Sequence, residues 1–337
     1  LSIRVAETVI DPPVALAPLA GITDLPFRRL VAGFGAGLVV SEMVASREMV
    51  RARPQARARA ELGLGEGGAG TLTAVQLAGH DPHWMAEAAR LVEGLGARII
   101  DINMGCPAKR VTTGWAGAAL LRDLPHALRL IEAVVGAVRV PVTLKTRLGW
   151  DEGCLASAEL ARAAEAAGIA MITVHGRTRA QFYKGSADWS AIAAVRRAVR
   201  IPVLANGDIA GPAAARAALA ASGADGVMVG RGAQGRPWLP ALIAHRLFGA
   251  PAPEVPRGAA LVAMVAGHYQ AMLSFYGTGL GLRMARKHLG WYMDAAGTPG
   301  PLRRAVLTAE APAAVLAALP AALAAGGAGP GAEAAAA

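Results

Sequence analysis

Eight short β-like runs alternate with amphipathic or alanine-rich stretches, and this alternation limits the folds open to the chain more than any other feature. The runs cover residues 14–21, 38–44, 73–79, 99–105, 141–150, 171–177, 201–209 and 226–233. Helical patterns at 81–95, 124–138, 154–167, 189–199 and 212–222 separate them. Eight βα repeats predict a closed parallel barrel rather than a doubly wound sheet. Hydrophobic residues make up 54% of the chain but aromatics only 4%, so the core is built from Ala, Val, Leu and Ile. That composition suits parallel strands covered by alanine-rich helices. At 337 residues there is length for such a barrel and a smaller domain. The expected fold is therefore α/β, a (β/α)8 TIM barrel followed by an all-helical C-terminal domain.

Polar residues fall at the C-terminal ends of these runs: Gln76, Asn103, Lys145 and Arg147, His175 and Arg177, Asn206 and Asp208, and Arg231. A barrel gathers these ends on one rim, where active sites of this architecture lie. Solvated loop residues do not explain so many polar ends in register.

The run at 99–107, IIDINMGCP, carries the sharpest chemical signal. An apolar strand gives way to a Gly–Cys–Pro turn, which sets a thiol at the lip of the sheet. Cys106 reads as a nucleophile, which needs a cationic or basic neighbour to form thiolate, or as a general acid, which works as the neutral thiol. An inert buried thiol is the plainer alternative. Lys145 interrupts the apolar run VTLKT and needs an anionic partner, because an unpaired buried charge is costly. A reduced flavin supplies one; so would a salt bridge to Asp101 or Glu42. Gln76 both donates and accepts, which suits the edge of a flavin or pyrimidine ring, or a core amide. Asn206-Gly207-Asp208 and Gly230-Arg231-Gly232 end the last two runs, where barrels of this kind bind phosphate. Neither Cys106 nor His175 has triad-spaced partners, so a hydrolase is a poor reading.

The chain has two cysteines, Cys106 and Cys154, with no CxxC or Cys/His spacing, so no disulfide framework and no metal site are expected. Asp11, Pro12 and Pro13 interrupt the N-terminal pattern, which argues against a secretory leader. No stretch reads as a bilayer span free of Ala-rich, Pro-broken sequence, so no membrane partner and a cytoplasmic location are expected. The net charge of +10 points to a polyanionic partner.

Taken together, these motifs resemble the bacterial tRNA-dihydrouridine synthases of the B type. The resemblance rests on APLAGITDLPFRRL at 17–30, SEMV at 41–44, VQLAG at 75–79, DINMGCPAKRV at 101–111, LKTRLGWD at 144–151, VHGRTRAQFYKGSADW at 174–189, LANGDI at 204–209 and VMVGRGAQGRPW at 227–238. It runs colinearly over roughly residues 10–300. It implies an FMN enzyme that uses NAD(P)H to reduce the C5–C6 double bond of D-loop uridines in tRNA. It places flavin contacts on Pro18, Leu19, Ala20, Gln76 and Lys145. Phosphate-end contacts fall on Asn206, Gly207, Asp208, Gly230 and Arg231. Cys106 matches the proton donor, Asn103 and His175 line base and flavin, and Arg177 lies near the substrate. No GxGxxG follows a strand, so NAD(P)H is expected to dock transiently. Trp115, in VTTGWAG at 111–117, departs from the expected pattern of the loop after the cysteine.

Domains are expected at 1–247 (FMN-binding barrel) and 248–325 (tRNA-binding helices), with a disordered tail at 326–337. Helices are expected at 258–276, 281–295 and within 301–325. Arg283, Arg286, Lys287 and His288 fall mostly on one side of the second, followed by Trp291 and Tyr292, and in the family such a helical domain grips tRNA. Arg51, Arg53, Arg57 and Arg59 form a second basic cluster. Competing readings are an FMN barrel acting on a small pyrimidine and a non-catalytic tRNA-binding protein.

Overall fold

The computed structural model describes residues 2–62 and 72–324. The tail at 326–337 lies outside the described residues. The strands are β1 (Ile3–Val5), β2 (Thr8–Ile10), β3 (Val14–Leu16), β4 (Leu38–Val40), β5 (Val44–Ala45), β6 (Leu72–Ala78), β7 (Ile99–Met104), β8 (Val142–Arg147), β9 (Met171–His175), β10 (Val203–Asn206) and β11 (Gly226–Val229). Eight of them, all parallel, run in the order β4-β3-β11-β10-β9-β8-β7-β6, and pairing of β4 with β6 closes the barrel. The expected TIM barrel is present, followed by a helical C-terminal region.

Two details differ from the sequence reading. The run at 38–44 breaks into β4 and β5, because Ser41 leaves the strand direction: its N–H donates to Ala74 O at 2.9 Å and its Oγ accepts from Gln76 N at 3.0 Å. An antiparallel hairpin, β1 with β2, precedes the barrel. Its Ile3, Val5 and Ile10 join the core formed by Ala15, Leu38, Leu72, Ile99, Met171, Leu204 and Met228. β4 contributes Leu38 and Val40 to this interior and β6 contributes Leu72 and Ala74, the alternate residues of a pleated strand. Ile10 and Val5 are fully buried, each worth about 1.5–3 kcal/mol of burial.

The helices around the barrel are α1 (Leu25–Phe34), α2 (Ser46–Val50), α3 (Pro54–Ala60), α4 (Pro82–Gly94), α5 (Lys109–Thr112), α6 (Leu124–Val135), α7 (Ser157–Ala166), α8 (Trp189–Ala198), α9 (Pro212–Ser222) and α10 (Leu239–Phe248). Asp24, Asp81, Asp123 and Asp188 cap α1, α4, α6 and α8, each carboxylate accepting from a first-turn N–H. Proline in the first turn of α1, α4 and α6 supplies a pre-set φ where no N–H is needed.

The chain forms two compact units. One comprises the chain to Gly232 with Pro240–Ala252; the other takes Ala233–Leu239 and the chain from Pro253 onward. The second unit contains α11 (Gly258–Tyr276), α12 (Thr278–Ala296), α13 (Gly300–Thr308) and α14 (Pro312–Ala324). By length and composition alone α11 is long and apolar enough to cross a membrane, which differs from the expectation that no stretch reads as a span. Its Val265, Tyr269 and Met272 share an apolar core with Leu289 and Met293 of α12 and Leu319 of α14.

Candidate active site at the strand ends of the barrel

Parallel register brings the polar strand ends side by side. Gln76 pairs with Asp101, and Asn103 with Lys145; Arg147 pairs with His175, and His175 with Asn206. A continuous hydrogen-bond chain follows. Thr143 Oγ1 donates to Asp101 Oδ1 at 2.6 Å, and Gln76 Nε2 donates to Asp101 Oδ2 at 2.7 Å. Asn103 Nδ2 donates to Gln76 Oε1 at 2.7 Å, and Asn103 Oδ1 accepts from Cys106 N at 3.0 Å. Each amide is thereby held in one orientation. Burial pushes the Asp101 carboxyl up, against the hydrogen bonds from Thr143 and Gln76.

Cys106 follows β7 and is half-buried, with a free thiol. Its carbonyl accepts from Ala118 N at 3.1 Å. Gly117, at φ +60°, makes that close approach possible: a Cβ there would lie 2.8 Å from Cys106 O. Arg147 Nε donates to Gly105 O at 2.8 Å, and Arg147 Nη1 donates to Thr178 O and Phe182 O, both at 2.9 Å. Arg147, which the sequence places at a strand end without a role, thus braces the cysteine turn. Cys106 lies near enough to Lys145 and Arg147 to act on the charge of both.

Lys145 makes neither of the salt bridges considered above. Asp101 is engaged as described, and Glu42 Oε2 accepts from Gly21 N, with Arg59 Nε at 3.8 Å. Among the described residues the hydrogen-bond partner of Lys145 is Asn206, Nζ to Oδ1 at 3.0 Å, and two of its three donors are left over. Desolvation, then the charge of Arg147, lowers the Lys145 ammonium to about 8. Asn206 is itself anchored, Nδ2 to Met228 O at 2.7 Å.

Arg177 is almost fully buried, and all five of its N–H donors are engaged within the protein. Nε donates to Lys184 O, Nη1 to Asp208 Oδ1 at 2.9 Å, and Nη2 to Gly185 O and Asp208 Oδ2, both at 2.6 Å. The fifth points at His175 Nε2, 3.3 Å away. Arg177, expected near the substrate, thus has no donor left over and holds Asp208 and His175 in place. The Asp208 carboxylate also accepts from Ala187 N at 2.8 Å and from Arg231 Nη2 at 3.2 Å, so it orients the cationic rim rather than meeting an anion with its side chain. The half-exposed Arg231 guanidinium stacks 5.1 Å over Tyr183, whose ring also lies 5.6 Å from Arg147. The sequence reading gave Tyr183 no role, and only its place in the loop after β9 hinted at one.

Pro18 and Leu19 are half-buried and Ala20 exposed, just past β3; Gly230 lies beside Ala17 and Leu19. Gly207, at φ +113°, packs against the His175 ring, where a Cβ would stand 2.8 Å from Cδ2. In the helical unit, Arg283 and Lys287 are exposed on α12 and Arg286 is half-buried. His288 and Tyr292 are corrected: both are buried, with His288 4.9 Å from His268 and Tyr292 OH 2.9 Å from His268 Nδ1. Of the two aromatics after the basic residues, Tyr292 is core and Trp291 is half-buried. Arg51, Arg53 and Arg57 are exposed around α2 and α3.

Residues 15–325 match the family model Dihydrouridine synthase (Dus). The chain belongs to the dihydrouridine synthase family. It is 62% identical to a probable tRNA-dihydrouridine synthase of Rhodobacter capsulatus, over 94% of this chain and 96% of that protein. It is 48% identical to a probable tRNA-dihydrouridine synthase of Rickettsia conorii, over 93% and 94% of the two chains. With tRNA-dihydrouridine synthase B of Xanthomonas axonopodis pv. citri the identity is 47%, over 91% and 92%. This is an enzyme family. Among solved structures, histamine dehydrogenase from Rhizobium sp. 4-9 superposes with a TM-score of 0.55 at 14% identity, over 80% of this chain and 50% of that one, a likeness of fold alone.

Proposed function

We propose that this member of the family is a tRNA-dihydrouridine synthase of the B type, which holds FMN and uses NAD(P)H to reduce the C5–C6 double bond of D-loop uridines. The observation that carries the reading is the half-buried, free Cys106 on the same rim as the spare Lys145 donors. The donor set fits a flavin. Lys145 would face the electron-rich N1–C2 edge of the ring, and the remaining Gln76 N–H its pyrimidine edge. Gly207, Gly230 and Arg231 would hold the phosphate end, with Pro18, Leu19 and Ala20 along the ring. When bound, the reduced flavin supplies hydride to uracil C6.

The residues of the chain do the rest. Asn103 and His175 orient the base, and the Cys106 thiol delivers its proton to C5 as negative charge develops on the C4 carbonyl. The balance is one hydride and one proton added to the C5–C6 bond, with NAD(P)H oxidised to NAD(P)+ and the thiolate reprotonated from solvent. Reaching the rim requires the base to leave its stack, a cost of a few kcal/mol. Phosphate contacts from the exposed Arg283 and Lys287 offset it. The reading places the enzyme in the cytoplasm, with no membrane partner and no metal.

The test is turnover on tRNA from a strain lacking dihydrouridine, with the flavin identified by mass. The expected result is bound FMN and NAD(P)H-dependent dihydrouridine in the D-loop. Cys106→Ala should keep the flavin and lose about 10²–10⁴-fold in rate. Reduction of free pyrimidines with none on tRNA would overturn the reading.

A further inference from the structure

Beside the cysteine turn stands an alternating column of rings and guanidinium groups. Arg122 lies 5.5 Å from the Trp115 ring and 5.0 Å from the Trp150 ring, and Arg179 stacks on Trp150 at 4.3 Å. Trp115 is 54% exposed and sits at φ +54°, a conformation that a bulky side chain rarely adopts. It stands two residues before Gly117, which packs on Cys106. Such strain persists where the surroundings hold it, commonly at ligand sites.

Neither arginine has a carboxylate partner among the described residues. Arg179 Nε is buried without a hydrogen-bond partner. Of the carboxylates adjoining this column in sequence, Asp123 accepts from His126 N and Asp151 from Gly153 N. Two arginines lacking anions, layered on two indoles, form a site that asks for a ligand with both a flat π-face and a negative charge. A nucleotide has both.

Resting on the function proposed above, we infer that Trp115, Arg122, Trp150 and Arg179 form a stacking subsite for an unpaired nucleotide of the RNA that flanks the target uridine. Its base stacks on the open face of Trp115, and its phosphate takes the donors of Arg122 and Arg179. The target base is thereby delivered to Cys106 with its neighbour already gripped.

The experiment uses the full-length flavoprotein and two probes. One is tRNA lacking dihydrouridine; the other is a short single-stranded oligoribonucleotide carrying 2-aminopurine. Trp115→Ala should weaken tRNA binding about tenfold or more and raise KM more than it lowers kcat. Trp115→Phe should restore most of the affinity, since stacking needs a ring rather than an indole. Quenching of 2-aminopurine should fall with Trp115→Ala and return with Trp115→Phe. Arg122→Gln, at an exposed position, should flatten the salt dependence of binding by about one phosphate contact. Flavin content checks that each variant is folded. Equal tRNA affinity and equal quenching in wild type, Trp115→Ala and Arg122→Gln would overturn the subsite. Because these are binding measurements, they decide it even if the wild type makes no dihydrouridine, which would defeat the proposed activity instead.

Discussion

His175 Nε2 lies 3.3 Å from Arg177 Nη1, and because a guanidinium can only donate, that imidazole nitrogen must accept. The proton of His175 is therefore on Nδ1. Burial, and then the charges of Lys145, Arg147, Arg177 and Arg231, lower the imidazolium to about 2. His175 is neutral throughout the working pH range, a donor of fixed tautomer and not an acid–base pair. Nitrogen NMR of the labelled ring should show a neutral, Nδ1-protonated imidazole from about pH 5 to about pH 8, where an unperturbed histidine titrates near 6.5. A titration in that window would refute the assignment.

Lys145 carries a second pH signature. Its ammonium is lost as pH rises through about 8. Affinity for the negatively charged reduced flavin ring should therefore fall between about pH 7 and about pH 9.5. Lys145→Met should bind more weakly at the lower pH and lose this dependence. The sign for stability is opposite. The folded state releases this proton before the unfolded chain does, so between about 8 and the ordinary lysine value of 10.5 the unliganded protein gains stability as pH rises. Flavin titrations at several pH values, with denaturant midpoints of the apoprotein, check both signs.

Gly117→Ala probes the brace behind the thiol. The new methyl would meet Cys106 O at 2.8 Å in a backbone conformation at φ +60°. Left-handed strain of this kind costs about 1–3 kcal/mol. The expected outcome is a lower denaturant midpoint together with a larger drop in single-turnover reduction of the base than in flavin binding. An unchanged rate would show that the turn can shift without moving the thiol.

On α12, exposure separates two roles. Arg283 and Lys287 are exposed, whereas Arg286 is half-buried with its Nε buried. Replacing Arg283 and Lys287 together by Ala should reduce the salt slope of tRNA binding by about one to two and leave the thermal midpoint within about a degree. Arg286→Ala should lower the midpoint, because its aliphatic stem packs in the helical unit. Salt-dependent binding isotherms and calorimetry distinguish the two. An unchanged salt slope in the double variant would move the RNA surface elsewhere.

Much of this was legible in the amino-acid order. Strand periodicity and its interleaved helices specify the barrel, because a parallel strand buried on both faces leaves a run of apolar residues that no other element needs. The same runs point to the rim, since many of their polar residues gather toward the C-terminal ends of the strands. Gln76, Asn103, Lys145, His175 and Asn206 were singled out that way, and Cys106 from the Gly–Cys–Pro turn that follows its strand. The β1–β2 hairpin was not: two strands of three residues leave too short a pattern to read.

Which partner each rim residue takes was decided only by the folded chain. Lys145 and Asn206 are 61 positions apart, and Asn103 and Gln76 are 27 apart. Such pairings depend on register and rotamer, which residue type does not encode. The five donors of Arg177 likewise find their acceptors only once the loops after β9 and β10 close around them, and Trp115 looked like an aberrant loop residue until Arg122 and Trp150 stacked beside it. Composition and periodicity act along the chain and so are written in it. Hydrogen-bond saturation and ring stacking act across space, and exist only once the barrel has closed.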